Sequence, residues 1–176
     1  MSETQGAVRT RTYTWEDPSA SVAAMAGRTG LEILQAIGAG ELPQPPVMRT
    51  LGMSGVEVEE GRIVFRLQPQ EFHYNPLGSM HGGVLATLLD SAAACAVQTT
   101  LPAGTGYTSL DLNTKFLRPV TVGSGMLRCE GIVLSRGKRT ALAQAQVLDD
   151  ADRLIAHATS SCMIFPIDSA AQGHRA

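Results

Sequence analysis

Fourteen almost uniformly apolar residues, Val84 to Val97, follow directly on a polar, Gly- and Pro-punctuated stretch that ends in His81-Gly82-Gly83. Ala and Leu dominate the apolar part, and both are strong helix formers, so a helix is predicted from about Gly83 to about Gln98. The segment is apolar nearly all round, as expected of a helix buried on most sides. Its one charged residue is Asp90. A lone carboxylate in such surroundings is costly unless it is paired, hydrogen-bonded or protonated. The residues three and four positions away are Ala86, Thr87, Ala93 and Ala94, so no basic side chain lies within helical reach.

The remaining composition narrows the function. A chain of 176 residues fits one domain with a proper core. A net charge of -2 argues against nucleic-acid binding, which calls for a basic excess. The longest apolar run is interrupted by Asp90 and falls short of the ~18 residues of a membrane span. The first residues, Met1 to Gly6, lack the basic and apolar regions of a signal peptide, so a cytoplasmic protein is expected. Cys95, Cys129 and Cys162 are far apart, odd in number and set among apolar residues. They read as reduced core thiols, and no His pair has metal-ligand spacing, so no metal site is expected.

Four segments are expected. Residues 1–27 form an N-terminal arm, mobile or packed on a neighbouring subunit, with Arg9 to Trp15 able to form a short strand. Residues 28–49 hold a short helix and a Pro-rich extended connector. Thr29-Gly30-Leu31-Glu32 has capping-box spacing, Leu31, Leu34 and Ile37 give an apolar face, and Gly38 and Gly40 stop the helix. Residues 50–165 form the main domain. Two strands flank Glu60-Gly61, and four more follow the long helix: Tyr107–Leu117, Gly125–Ser135, Lys138–Asp149 and Leu154–Phe165. In the first of these, Leu110, Leu112 and Phe116 are expected to face inward. Residues 166–176 are a polar tail. Strands on both sides of one buried helix imply an antiparallel sheet curled around it, whose edges need partners.

Several residues qualify for chemistry. Gly82 and Gly83 allow close backbone approach, and the free amides of a helix start attract negative charge or a polarised carbonyl oxygen. A sharp turn into the helix would also explain them. Asp90 is suited to act as a base, or is simply a satisfied buried carboxylate. Asn75 and His81 flank the turn and can orient a water or a carbonyl. Equally, Asn75-Pro76 is an ordinary turn former and His81 a helix cap. Arg136-Gly137-Lys138-Arg139, with Lys115 and Arg118, can receive phosphates, or be a solvated basic turn. No nucleophile elbow, dinucleotide fingerprint or Walker loop is present.

Taken together, Asn75-Pro76-x-Gly78-x-x-His81-Gly82-Gly83 and Leu88-Leu89-Asp90-Ser91-Ala92 resemble the hotdog-fold acyl-CoA thioesterases, in particular the PaaI-like branch related to phenylacetate degradation and to 4-hydroxybenzoyl-CoA thioesterase. The resemblance covers about residues 50–165. It implies an α+β hotdog fold, a curved antiparallel sheet wrapped around one long central helix, assembled as homodimers that pair into homotetramers. By the same resemblance, Asp90 is the nucleophile or general base, and the Gly83 amide polarises the thioester carbonyl. Asn75 and His81 help place water and thioester, while Gly82, Thr108 and Ser109 contact or support the substrate. Ser109 corresponds to a serine opposite the acid, with Thr108 one position away. Arg118, Arg136, Gly137, Lys138 and Arg139 fall in regions that contact coenzyme A. Coenzyme A enters as part of the substrate, and no cofactor is implied.

Within one helix Gly83 and Asp90 are seven residues apart, ~10 Å at helical rise, too far for one carbonyl. They must therefore serve one site from different subunits. The expected activity is hydrolysis of an acyl-CoA thioester to the free acid and coenzyme A. A non-catalytic acyl-CoA sensor and a hotdog hydratase or dehydratase are the alternatives. The acyl group is left open among aryl, medium-chain and dicarboxyl types.

Overall fold

The computed structural model describes residues 6–167. Helix α1, Pro18–Met25, occupies a part of the arm that looks unpatterned in sequence, and the Asp17 carboxylate accepts the Ser19 N–H at its start (2.9 Å). Helix α2, Gly30–Ala39, carries the expected capping box. The Thr29 hydroxyl accepts the Glu32 N–H (3.2 Å), and Glu32 Oε2 accepts the Thr29 N–H (2.8 Å). The Pro-rich connector stays extended as far as Pro45 (φ -54°, ψ 142°), and helix α3, Pro46–Leu51, then occupies its end and the expected start of the first strand. Pro46 sits in its first turn, where a missing N–H costs nothing and a fixed φ is pre-set for helix. The first strand therefore starts at Met53, after Gly52 in the left-handed region, rather than at Thr50.

Strands β1, Met53–Glu59, and β2, Arg62–Leu67, form an antiparallel hairpin about Gly61. The long helix follows as α4, Gly82–Gln98. Then come β3, Thr105–Ser109, β4, Asn113–Phe116, β5, Leu127–Arg136, β6, Thr140–Leu148, and β7, Leu154–Pro166. All pairings are antiparallel, in the order β1-β2-β5-β6-β7-β3, with β4 also paired to β7. The sheet curves over α4 without closing, as a hotdog fold implies.

The single strand expected over Tyr107–Leu117 is two strands. Ser109 pairs with Cys162 and Asn113 with Thr159, so three residues on one side face two on β7. That is a bulge of one extra residue. Asp111 fixes it: its carbonyl accepts the Ser160 hydroxyl (2.7 Å) and its carboxylate accepts the Ser161 N–H (3.0 Å). In consequence Leu110, expected inside, is 58% exposed, whereas Leu112 does pack on the core.

Helix α4 buries one broad face against the sheet. Leu88, Leu89, Ala92, Ala93, Ala96 and Val97 are fully covered. The alanines let the sheet come close, and β5 answers with Gly131, where a Cβ would lie 2.0 Å from the Ala92 carbonyl oxygen. The opposite side of α4 is left open. Gly83 is exposed there, and Thr87, Asp90 and Ser91 are half-buried. Their spacing places them along one helical stripe.

Residues 6–15 of the arm form no strand. Arg11 donates to the Thr50 and Arg49 carbonyls at the end of α3 and stacks on Phe72, 4.0 Å from the ring centroid. Arg9 pairs with Glu71. This part of the arm thus lies on its own chain. The three cysteines are unpaired, with Cys129 and Cys162 buried. Burial pushes the half-buried Cys95 thiol up to about 11. The expected polar tail beyond Ile167 lies outside the described residues.

Candidate active site

The start of α4 is built by the loop before it. Asn75 Oδ1 accepts the N–H groups of Leu77 (2.9 Å) and Ser79 (3.3 Å), and its amide donates to Ser79 Oγ (3.2 Å). Asn75 thus shapes the turn through its own side chain, the behaviour that suits Asn to turns. The His81 N–H is anchored on the His73 carbonyl (2.8 Å), and His81 then caps the helix.

That cap changes the expected role of Gly83. The Gly83 N–H donates to His81 Nδ1 at 2.9 Å. It is therefore engaged and does not face an empty site, contrary to its expected part as the carbonyl-polarising amide. The same bond settles the imidazole: with Nδ1 accepting, a neutral ring carries its proton on Nε2 and presents a donor outward. No acceptor among the described residues takes the Gly82 N–H. Gly82 lines an open cleft of about 390 Å³ with Asn75, Leu85, Phe116 and Arg118. A Cβ on Gly82 would approach the Phe116 ring to 3.2 Å, so glycine is what fits there without moving the ring.

Asp90 lies two turns on, half-buried on the open stripe. Ser109 Oγ donates to its Oδ1 at 2.9 Å. The edge strand β3 carries this serine, and strand alternation explains its aim. Tyr107 and Ser109 face α4, whereas Thr108 faces away and is exposed, its hydroxyl 3.5 Å from the Ser109 carbonyl. Thr108 accordingly has no place beside Asp90. Tyr107, which the sequence did not single out, donates to Gln98 Oε1 at 3.1 Å and lies 4.0 Å from Cys95 Sγ. Its period-two spacing from Ser109 was the available signal. His73, before the helix start, is 3% exposed and bridges Leu51 and Gln70.

The basic residues divide into two groups. Arg118 borders the Gly82 cleft and donates to the Leu154 carbonyl. Arg136, Gly137 and Lys138 line a separate surface pocket with Thr105 and Ile164, and the Gly137 N–H closes the hairpin on the Thr140 carbonyl (2.8 Å). Lys138 and Arg139 border a further depression beside Phe165. Leu117 bonds β7 at Ile155, and Arg139 bonds it at Ile164. Nine residues of strand separate these points, ~30 Å at ~3.3 Å per residue. Within one chain, Arg118 and the 136–139 turn do not meet.

The sequence model of the thioesterase superfamily matches residues 77–156, a span that holds His81, both glycines, Asp90 and Ser109. Acyl-coenzyme A thioesterase 13 of Homo sapiens is 30% identical over 104 residues, covering 58% of this chain and 73% of that protein. The 1,4-dihydroxy-2-naphthoyl-CoA hydrolase of Listeria monocytogenes is 27% identical over 109 residues, covering 62% and 87%. The crystal structure of a phenylacetic acid degradation-related protein from Ralstonia eutropha superimposes with a TM-score of 0.67 at 31% identity, over 74% of this chain and 98% of that one. No helix among the described residues is long and apolar enough to cross a membrane. With one long helix under a curved antiparallel sheet, and with these likenesses in both sequence and architecture, the chain belongs to the PaaI-like branch of the thioesterase superfamily, and it is a thioester hydrolase of hotdog fold.

Proposed function

We propose that this protein hydrolyses acyl-CoA thioesters to the free acid and coenzyme A, with Asp90 as the general base for water or as the nucleophile. The observation that carries the reading is a carboxylate on the open side of α4, held at 2.9 Å by Ser109 and without an ion-pair partner among the described residues. A carboxylate so placed is suited to attack a carbonyl carbon or to take a proton from water. The tetrahedral intermediate then needs a donor for its oxyanion. We assign that donor to the helix-start amides, with the Gly82 N–H foremost because His81 occupies the Gly83 N–H. Asn75 and the outward Nε2–H of His81 border the same place and help seat the carbonyl and the water.

Gly82 and Asp90 are eight residues apart on α4, ~12 Å along the axis. They serve one thioester only if they come from two subunits. The open stripe of α4 supplies the surface for such pairing, and a two-fold axis that sets each Gly82 against the other Asp90 makes the helices antiparallel. The same arrangement carries Arg118 of one subunit toward the 136–139 turn of the other, which reunites the two basic groups around one coenzyme A. A homodimer is thus the smallest active unit in this reading, and pairing of dimers into a tetramer is compatible with it.

The test is a panel of acyl-CoA thioesters with released thiol as the readout. Wild type should turn over at least one class, and Asp90→Asn should lower kcat by ~100-fold or more, the ordinary worth of a positioned acid–base group. Near-wild-type hydrolysis by the folded variant would remove Asp90 from the mechanism.

A further inference from the structure

The acyl end of the substrate has no place in the arrangement above, and the C-terminal half of α4 offers one. Asp90, Cys95 and Gln98 follow one another along the helix. Alongside, Ser109 and Tyr107 follow one another on the inner face of β3, Ser109 bonded to Asp90 and Tyr107 to Gln98. Beyond Tyr107 lies a largely apolar cavity of about 510 Å³. Its walls include Ile33 of α2, Phe165 and Ile167 at the end of β7, and Gly106, with Gln98 and Tyr107 at the side toward Asp90. Gly106 lies under the Phe165 ring, which a Cβ there would approach to 2.8 Å. The volume is in the range of small-molecule sites. The phenol thus stands between the carboxylate and the cavity, latched by its 3.1 Å bond to the Gln98 side chain.

We propose that Tyr107 is the wall that sets the upper length of the acyl group, and that the cavity behind it is a latent extension of the acyl site. This rests on the thioesterase reading given above. An acyl chain leaving the carbonyl beside Asp90 meets the Tyr107 ring before it reaches Gln98, eight residues up the helix, ~12 Å at 1.5 Å per residue. With carbon–carbon bonds of about 1.5 Å, an extended chain covers that distance in about ten carbons. Compact acyl groups, aryl or short aliphatic, end before the ring. Longer ones need the ring to leave, and what they would then enter is apolar on most sides.

The experiment compares kcat/KM across short, medium and long straight-chain acyl-CoA thioesters for wild type, Tyr107→Phe, Tyr107→Ala and Tyr107→Ala/Ile33→Trp. Wild type should fall off short of about ten carbons, the reach to Gln98, because the ring stands before it. In Tyr107→Ala the ratio of long-chain to short-chain kcat/KM should rise by at least ~10-fold, since even one or two methylenes in an apolar pocket are worth that much. Filling the cavity with Trp at position 33 should cancel the gain. Tyr107→Phe, which keeps the ring but frees it from Gln98, should show a smaller rise in the same direction. It decides the matter if the alanine variant does not fold. An unchanged length profile in the folded variants, or a wild type that accepts long chains as well as short ones, would overturn the proposal while leaving the thioesterase reading intact. No hydrolysis of any thioester by wild type would instead strike the underlying reading.

Discussion

Ser109 Oγ lies 2.9 Å from Asp90 Oδ1, so the carboxylate at the middle of α4 is held from the edge strand of the sheet. A hydrogen bond to a charged group contributes ~1.5–3 kcal/mol. If Asp90 acts on the thioester in this orientation, Ser109→Ala should lower kcat/KM by ~10- to 100-fold with little change in thermal midpoint. Steady-state hydrolysis alongside a melting curve separates this from a loss of fold.

Division of the site between subunits predicts complementation. Asp90→Asn and Gly82→Val homodimers should both be inactive. Co-assembled heterodimers contain one site with both native residues and one with neither. Activity should therefore return on mixing through unfolding and refolding, to about half of wild type per heterodimer. Absence of any return in verified heterodimers would place both residues in one subunit's site.

The contact between Gly131 and Ala92 predicts a large stability effect far from the chemistry. A Cβ at 131 would lie 2.0 Å from a backbone oxygen of α4, which has no rotamer by which to yield. Gly131→Ala should cost about 1–3 kcal/mol or more through overpacking. A lower urea midpoint at unchanged slope is the expected signature.

His73 predicts an acid limb of stability. Its Nδ1 accepts the Gln70 N–H (3.1 Å), and its Nε2 meets the Leu51 carbonyl (2.8 Å), an arrangement that needs the neutral ring. Desolvation holds its pKa below the ordinary 6.5; the Leu51 carbonyl opposes this, and nearby Arg11 adds to it. The unfolded chain therefore takes up the proton first as pH falls. The contribution of the neutral ring is complete above 6.5 and is lost as pH drops below it, through the lowered folded value. Thermal midpoints of wild type and His73→Gln between about pH 7.5 and pH 5.5 check this, the wild type falling more steeply.

Much of this molecule can be read from local chemistry. Ala and Leu content announces α4, Thr29 and Glu32 announce the start of α2, and Gly61 marks the first hairpin, because each depends on residues close in sequence. Helices α1 and α3 are local departures; at the site, the differences lie where distant residues decide. Asp111 breaks the edge strand only because Ser160 and Ser161 of β7 stand opposite it. The engagement of the Gly83 N–H depends on how the His81 ring turns, which spacing cannot convey. Arg118 and the 136–139 turn look like one basic set in sequence, and only the length of β7 separates them. Asp90 stood out from the start because a charge in an apolar helix demands an explanation at the level of sequence alone.

The bulge at Asp111 has a consequence of parity. Side chains on an unbroken strand alternate, so residues seven apart, such as Ser109 and Phe116, would point to opposite faces. One inserted residue converts odd to even between β3 and β4. Ser109 can then meet Asp90 while Phe116 meets Gly82, and a single edge of the sheet attends both the acid in mid-helix and the glycine at the helix start. Seven residues thus count as six steps along β7. Deleting one of 110–112 would straighten the edge and keep both side chains on the inner face, so the extra residue serves to set Asp111 against Ser160 and Ser161.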